Sequence, residues 1–173
     1  MNAVNIEIYT DTYKDAVAQL ILSIQTEEFG IPITIQQQPD LNEIAKFYQV
    51  NKGNFWIARL DDKVIGTIAL LDIGNQTTAL RKMFVAKDYR GKEFSVGQNL
   101  LNSLLAWARN KNVTEIFLGT TEKFTRAQRF YEKNGFTEIP KQDLPKEFPV
   151  MEVDVKFYQF SFPALSKTDN HEN

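Results

Sequence analysis

The chain has 173 residues, 43% of them hydrophobic with 13 Phe, and a formal net charge of −2. That length suits one domain of roughly 100–200 residues with a sizeable core, which excludes disorder across the body. The slightly acidic balance without a long basic patch excludes a nucleic-acid partner bound over a broad surface, and the absence of cysteine excludes disulfides, thiolate zinc sites and a cysteine nucleophile.

The opening segment "MNAVNIEIYTD" has no basic region ahead of an apolar signal core, and no apolar run in the chain approaches 18 residues, so a soluble cytoplasmic protein without a membrane partner is expected. "NIEIYT" (5–10) reads as a first strand. Thr12 with Asp15 has the spacing of a capping box, and Tyr13, Ala16, Val17, Leu20, Ile21 and Ile24 recur at helical intervals. Gly30 and Pro32 end that helix, and "EEFGIPITIQQQPD" (27–40) is a loop by its punctuation. Asp40 and Glu43 offer a second cap before the stripe Leu41, Ile44, Ala45 and Tyr48.

Strands follow at 54–60 and 63–73 around Asp61-Asp62, then at 78–86 after Gly74-Asn75. Next, Leu100, Leu101, Leu104, Leu105 and Ala108 share one helical face. "EIFLGTT" (115–121) is a buried strand by its apolar run. Thr125 and Gln128 have the spacing to cap a helix carrying Ala127, Phe130, Tyr131 and Asn134, which closes at Gly135. "VMEVDVKFYQF" (150–160) alternates as a final strand. The order is βααβββαβαβ, an α/β (α+β) class with a mixed central sheet flanked by helices. One domain over 1–162 and a frayed tail over 163–173 are expected, with no internal repeat.

The segment "FVAKDYRGKEFSVGQ" (84–98) joins a strand to a helix through Arg90, Gly91, Lys92, Ser95, Val96, Gly97 and Gln98. The first amides of a helix are unpaired, and its dipole places about half a positive charge there, so such a junction is an anion cradle. Glycines let the backbone approach a phosphate, and the two cations add charge. Neither GxxxxGK[ST] nor GxGxxG is present, which argues against a nucleoside triphosphate or dinucleotide site.

"LRKMFVAKDYRGKEFSVGQNLLNSLLAWARNKNVTEIFLGTT" followed by "RAQRFYEKNGF" resembles the acetyl-CoA-binding core of the GNAT-type N-acetyltransferases. The likeness runs from Leu80 to Ile139, and the element order extends it over most of the chain. This chain differs from the family's Arg-Gly-x-Gly-x-Gly loop by two extra residues, with Ser95 in place of the middle glycine. It also carries Phe124 where the family commonly has an asparagine on the pantetheine arm.

The resemblance implies acetyl transfer from acetyl-CoA, as cosubstrate and without a metal, to the amine of a small molecule or peptide in a ternary complex. It implies that Met83, Phe84 and Val85 run beside the pantetheine, and that Arg90, Gly91, Lys92, Ser95, Val96, Gly97 and Gln98 meet the phosphates. It also implies that the Tyr131 phenol, with an ordinary pKa of about 10, protonates the departing thiolate. The loop at 27–40 falls where the family builds its acceptor pocket, which gives Glu28, Phe29 and Ile31 as acceptor contacts. Glu27, Glu28 and Asp72 are the carboxylates open as bases, since the only histidine, His171, stands in the tail. A homodimer is compatible with this reading. The alternative is a non-catalytic acyl-CoA-binding sensor or accessory module, which keeps the phosphate loop but needs no acid near the sulfur.

Overall fold

The computed structural model describes residues 3–91 and 94–163; Lys92 and His171 lie outside the described residues. The strands are β1 (Val4–Ile8), β2 (Asn54–Leu60), β3 (Lys63–Gly74), β4 (Thr77–Val85), β5 (Glu115–Thr120), β6 (Thr137–Ile139) and β7 (Lys156–Ser161). They form one sheet in the order β1-β2-β3-β4-β5-β7-β6. Every neighbouring pair is antiparallel except β4 and β5, which run parallel. The helices are α1 (Lys14–Leu22), α2 (Ile44–Tyr48), α3 (Val96–Asn110) and α4 (Thr125–Lys133).

The sheet is covered on both faces, which is why its central strands are near-continuous apolar runs. In β2, Phe55 and Ile57 pack with Val17 and Ile21 of α1 and Ile44 and Tyr48 of α2. The alternate residues Trp56 and Ala58 join Leu100, Leu101, Leu104 and Ala108 of α3. Each of those leucines is fully buried, and burying one contributes about 1.5–3 kcal/mol, so α3 is firmly seated. Gly66 permits the close approach, because a Cβ there would stand 3.0 Å from side-chain atoms of Val96 and Leu100.

Several local expectations give way to tertiary contacts. The chain enters α1 through a 3-10 turn at Asp11–Tyr13, with no side-chain cap bond from Thr12 or its neighbours. Asp11 instead accepts a hydrogen bond from the Tyr9 hydroxyl. Asp40 is buried and accepts from the Tyr48 hydroxyl, so it caps nothing, and Glu43 precedes α2 without a cap bond. Gln128 donates to the Thr121 carbonyl rather than capping α4. Leu105 is only partly buried at the edge of the α3 stripe. The last strand begins at Lys156, six residues later than its alternation suggests, because 150–155 fold into a turn held by the Asp154 carboxylate. The short strand β6, which pairs with β7, is too brief for a sequence pattern to announce.

Candidate active site

Strands β4 and β5 pair only over Thr77–Ala79 and Glu115–Phe117 and then separate. Their divergence opens a cleft of about 690 Å³ through the sheet, lined from β4 by Leu80 to Val85 and from β5 by Leu118 to Thr120. A β-bulge feeds the divergence. Phe84 stands opposite Thr67 and Arg81 opposite Ala69, so two residues of β4 face one of β3. Lys82 takes φ +52° at this bulge, a left-handed value uncommon for a residue with a side chain. The Thr67 hydroxyl donates to the Lys82 carbonyl at 2.7 Å and fixes the bend.

One end of the cleft is the start of α3. Gly91 has φ +119° and Ser95 φ +51°, so the backbone reverses tightly before Val96. The helix opens with no side-chain cap bond, and its first intrahelical donor is the Asn99 amide to the Ser95 carbonyl. The amides of Val96, Gly97 and Gln98 are therefore free of helical partners at the cleft wall. A Cβ on Gly97 would lie 3.3 Å from the Met83 methyl and 3.8 Å from a Val85 methyl, so glycine brings these amides next to β4. The Gln98 side chain is engaged, donating to Asn102 and Asn134 at 2.9 Å each. Its backbone amide is what it can offer an anion.

Arg90 lines the cleft, yet its guanidinium turns away from the helix start. Its Nε donates to the Val85 carbonyl at 2.8 Å, and its two terminal nitrogens grip the Glu28 carboxylate. The Arg90 and Glu28 side chains thus satisfy each other, with Arg90 in the cleft lining and Glu28 outside it. Glu28 faces a smaller neighbouring pocket instead.

Glu28 ends a π-helical stretch, Ser23–Glu28, that continues α1. The wider turn carries Gln25 inward, where it exchanges two amide hydrogen bonds with Gln38 (2.9 and 3.1 Å). Phe29 then crosses the cleft and meets Phe124 edge-on at 4.8 Å, while Lys123 donates to the Phe29 carbonyl at 3.1 Å. Phe124 thus anchors a roof where a polar residue was expected from the family pattern. Phe29, Ile31, Ile33 and Gln38 line the cleft. Gln36 and Gln37 do not; Gln37 accepts from the Thr34 amide.

Tyr131 is 5% exposed, lines the cleft, and packs against Phe130, Phe136 and Tyr158. Its hydroxyl forms no hydrogen bond with the described residues, so it is unengaged at the cleft wall. Burial pushes its pKa above the ordinary phenol value, which keeps the proton on the oxygen. Phe130 sits beside Gly97 and also lines the cleft.

Beneath the bulge, the Lys82 ammonium pairs with Asp40 at 3.6 Å and donates to Gln38. Burial lowers its pKa to about 8, against the pull of Asp40 in the other direction.

None of the carboxylates considered as bases faces the cleft. Glu27 accepts from Ser23, Glu28 holds Arg90, and Asp72 accepts from the Lys52 and Gly74 amides at a turn. Among the described residues, the carboxylate that does line it is Asp154. It lies over Gly119 of β5, where a Cβ would come within 2.7 Å of its Oδ2. Burial pushes its pKa up. The signal for it in the sequence is weak, because "VMEVDVKF" alternates like a strand.

A divergence between parallel strands, roofed by aromatic rings and ending at bare helix amides, suits a long phosphate-bearing thioester. Comparison with known proteins agrees. The model of the acetyltransferase (GNAT) family matches residues 18–136, and the chain belongs to that family. It is 42% identical to a GNAT-family acetyltransferase of Staphylococcus aureus Mu50, covering 92% of this chain and 99% of that one, with a TM-score of 0.89. The PaiA N-acetyltransferase of Thermoplasma acidophilum, solved in complex with coenzyme A, shares the fold at 18% identity and TM-score 0.69, over 92% and 99% of the two chains. A curated relative, the probable N-acetyltransferase camello of Xenopus tropicalis, is 28% identical over 109 residues, 61% of this chain and 49% of that protein. The chain thus spans about half the length of that relative.

Proposed function

We propose that the protein transfers the acetyl group of acetyl-CoA to a primary amine of a small molecule or peptide, in a ternary complex. The observation that carries this reading is the continuity of the β4–β5 cleft with the helix-start amides of Val96, Gly97 and Gln98, which have no partner within the helix. Those amides and the helix dipole would hold the pyrophosphate, and Gly97 keeps the backbone accessible. The β4 edge from Met83 to Val85, left without a neighbour after Ala79, would pair with the amides of the pantetheine arm. Its Val85 carbonyl already accepts from Arg90, which marks the outer end of the usable edge. Lys92 remains a candidate phosphate contact.

When bound, acetyl-CoA supplies a carbonyl open to attack and a sulfur leaving group. The residues do the rest. The aromatic roof of Phe29 and Phe124 excludes water from the thioester end, which strengthens local dipoles. Tyr131 holds a proton on the cleft wall and donates it where thiolate charge develops. The amine enters from the face of the sheet that carries α1 and α2. The reading uses no metal, assigns residues 1–162 to one catalytic domain, and places the reaction in the cytoplasm.

A test is free-thiol release from acetyl-CoA over a panel of amines, with melting temperature followed in parallel. Acetyl-CoA should raise the melting temperature by mass action, and at least one amine should accelerate thiol release. A melting shift with no turnover on any amine would favour the non-catalytic acyl-CoA-binding module.

A further inference from the structure

The acceptor end of the cleft has a charge pattern that narrows the amine it can take. Apart from Asp154, every charged side chain lining the cleft among the described residues is a cation. Two of these already have acidic partners, Lys82 with Asp40 and Arg90 with Glu28. Arg81 makes no contact ion pair among the described residues, although its charge pulls the Asp154 pKa down against the effect of burial. It is half-buried at the bulge, with its Nη2 3.5 Å from the Met151 sulfur and its guanidinium carbon 5.9 Å from the Phe47 ring centre. A half-buried guanidinium with no carboxylate in ion-pair contact is poised to accept one. Asp154 is its near neighbour, because the same Met151 donates its amide to the Asp154 carboxylate at 3.0 Å. Met151 therefore stands between a cation and a carboxylate that both line the cleft.

Resting on the acetyltransferase reading, we propose that the acceptor is an amino acid-like molecule, its carboxylate held by Arg81 and its amine directed to Asp154. The short separation through Met151 favours an amine and a carboxylate a few bonds apart. A polyamine is disfavoured, since a second ammonium would meet Arg81. In the transfer, one ammonium proton passes to Asp154. The nitrogen–carbonyl carbon bond then forms as the carbon–sulfur bond breaks. Tyr131 gives its proton to sulfur and regains one from the nitrogen, and Asp154 releases its proton to solvent.

The experiment compares amino acids with their decarboxylated amines, and with spermidine, in the thiol-release assay. The amino acids should exceed the matching amines in kcat/KM by at least about 30-fold, the scale of losing one partner of a desolvated charge pair. Arg81→Met should erase that preference by raising the amino acid KM, with kcat nearly kept and the acetyl-CoA KM unchanged. Arg81→Lys should restore part of it, which separates charge recognition from folding damage. Asp154→Asn keeps the acceptor oxygen for the Met151 amide and should lower kcat. Equal use of amino acids and their amines, or preferential use of spermidine, overturns the proposal. So does an acetyl-CoA melting shift accompanied by no amino acid turnover. Absence of any acetyl-CoA shift overturns the acetyltransferase reading beneath it instead.

Discussion

Arg90 reaches back from the loop before α3 to clasp Glu28 at the end of the π-helical turn, with Nη2 2.8 Å from Oε2, while its Nε holds the Val85 carbonyl. The contact ties three segments together: the end of β4, the loop before α3 and the start of the cleft's roof. Both side chains are about four-fifths buried, so the pair is less screened than an open surface bridge. The guanidinium also lies 5.8 Å from the Phe29 ring centre, and so it supports the residue that crosses to Phe124.

The first prediction follows from that clasp. Arg90→Met should weaken CoA and dephospho-CoA by the same factor, because its charge is spent on Glu28 rather than on a 3′-phosphate. Glu28→Gln should reproduce much of the effect by loosening the same loop. Calorimetric titration of both ligands checks this; a selective loss for CoA would return Arg90 to phosphate binding.

Gly97 gives a second. Gly97→Glu places bulk and negative charge beside the helix-start amides, opposite in sign to what they attract. The protein should remain folded, since the nearest clash is with the flexible end of Met83. Its acetyl-CoA melting shift should vanish. Retention of the shift at millimolar acetyl-CoA would move the phosphate site elsewhere.

Tyr131→Phe removes one hydroxyl that is not hydrogen-bonded to any described residue, so stability and acetyl-CoA affinity should hardly change. The rate should fall by roughly 10²–10⁴-fold, the worth of a positioned general acid, with kcat and kcat/KM dropping together. A loss under about threefold would leave Tyr131 a packing residue.

The pH profile supplies a further check on the same site. Asp154 must be ionised to take a proton, and burial has raised its pKa. Activity should therefore fall as pH drops through that raised value, higher than for an exposed aspartate. Asp154→Asn should abolish that limb. On the alkaline side, the raised Tyr131 pKa means no decline from the phenol near its ordinary value of about 10.

Lys82 predicts a stability effect with a definite sign. Its folded pKa of about 8 lies below the ordinary lysine value of 10.5. Between those values the unfolded chain binds one more proton there than the folded one, so Lys82 makes stability rise with pH. Its contribution is fully present above 10.5 and is lost as pH falls through about 8. Comparing chemical denaturation of the parent and of a Lys82→Met/Asp40→Asn variant, from pH 7 to 10, should show a flatter slope for the variant. Identical slopes would place the Lys82 ammonium in water.

The sequence by itself determined most elements and the strand–loop–helix junction proposed to hold phosphate. The Leu100–Leu101–Leu104–Ala108 stripe and the near-continuous strands each encode burial through a local period, and that survives folding. The junction at Gly91 and Gly97 was legible because an anion cradle at a helix start is built from consecutive residues. Tertiary structure alone decided the β4–β5 divergence, the partners of Arg90 and Lys82, and the arrival of Asp154 over Gly119. Those depend on contacts between residues many tens of positions apart, such as Glu28 with Arg90 or Gly119 with Asp154. A side chain's polarity is written in the sequence, but its partner is chosen by whichever distant segment the packed sheet brings within hydrogen-bonding reach.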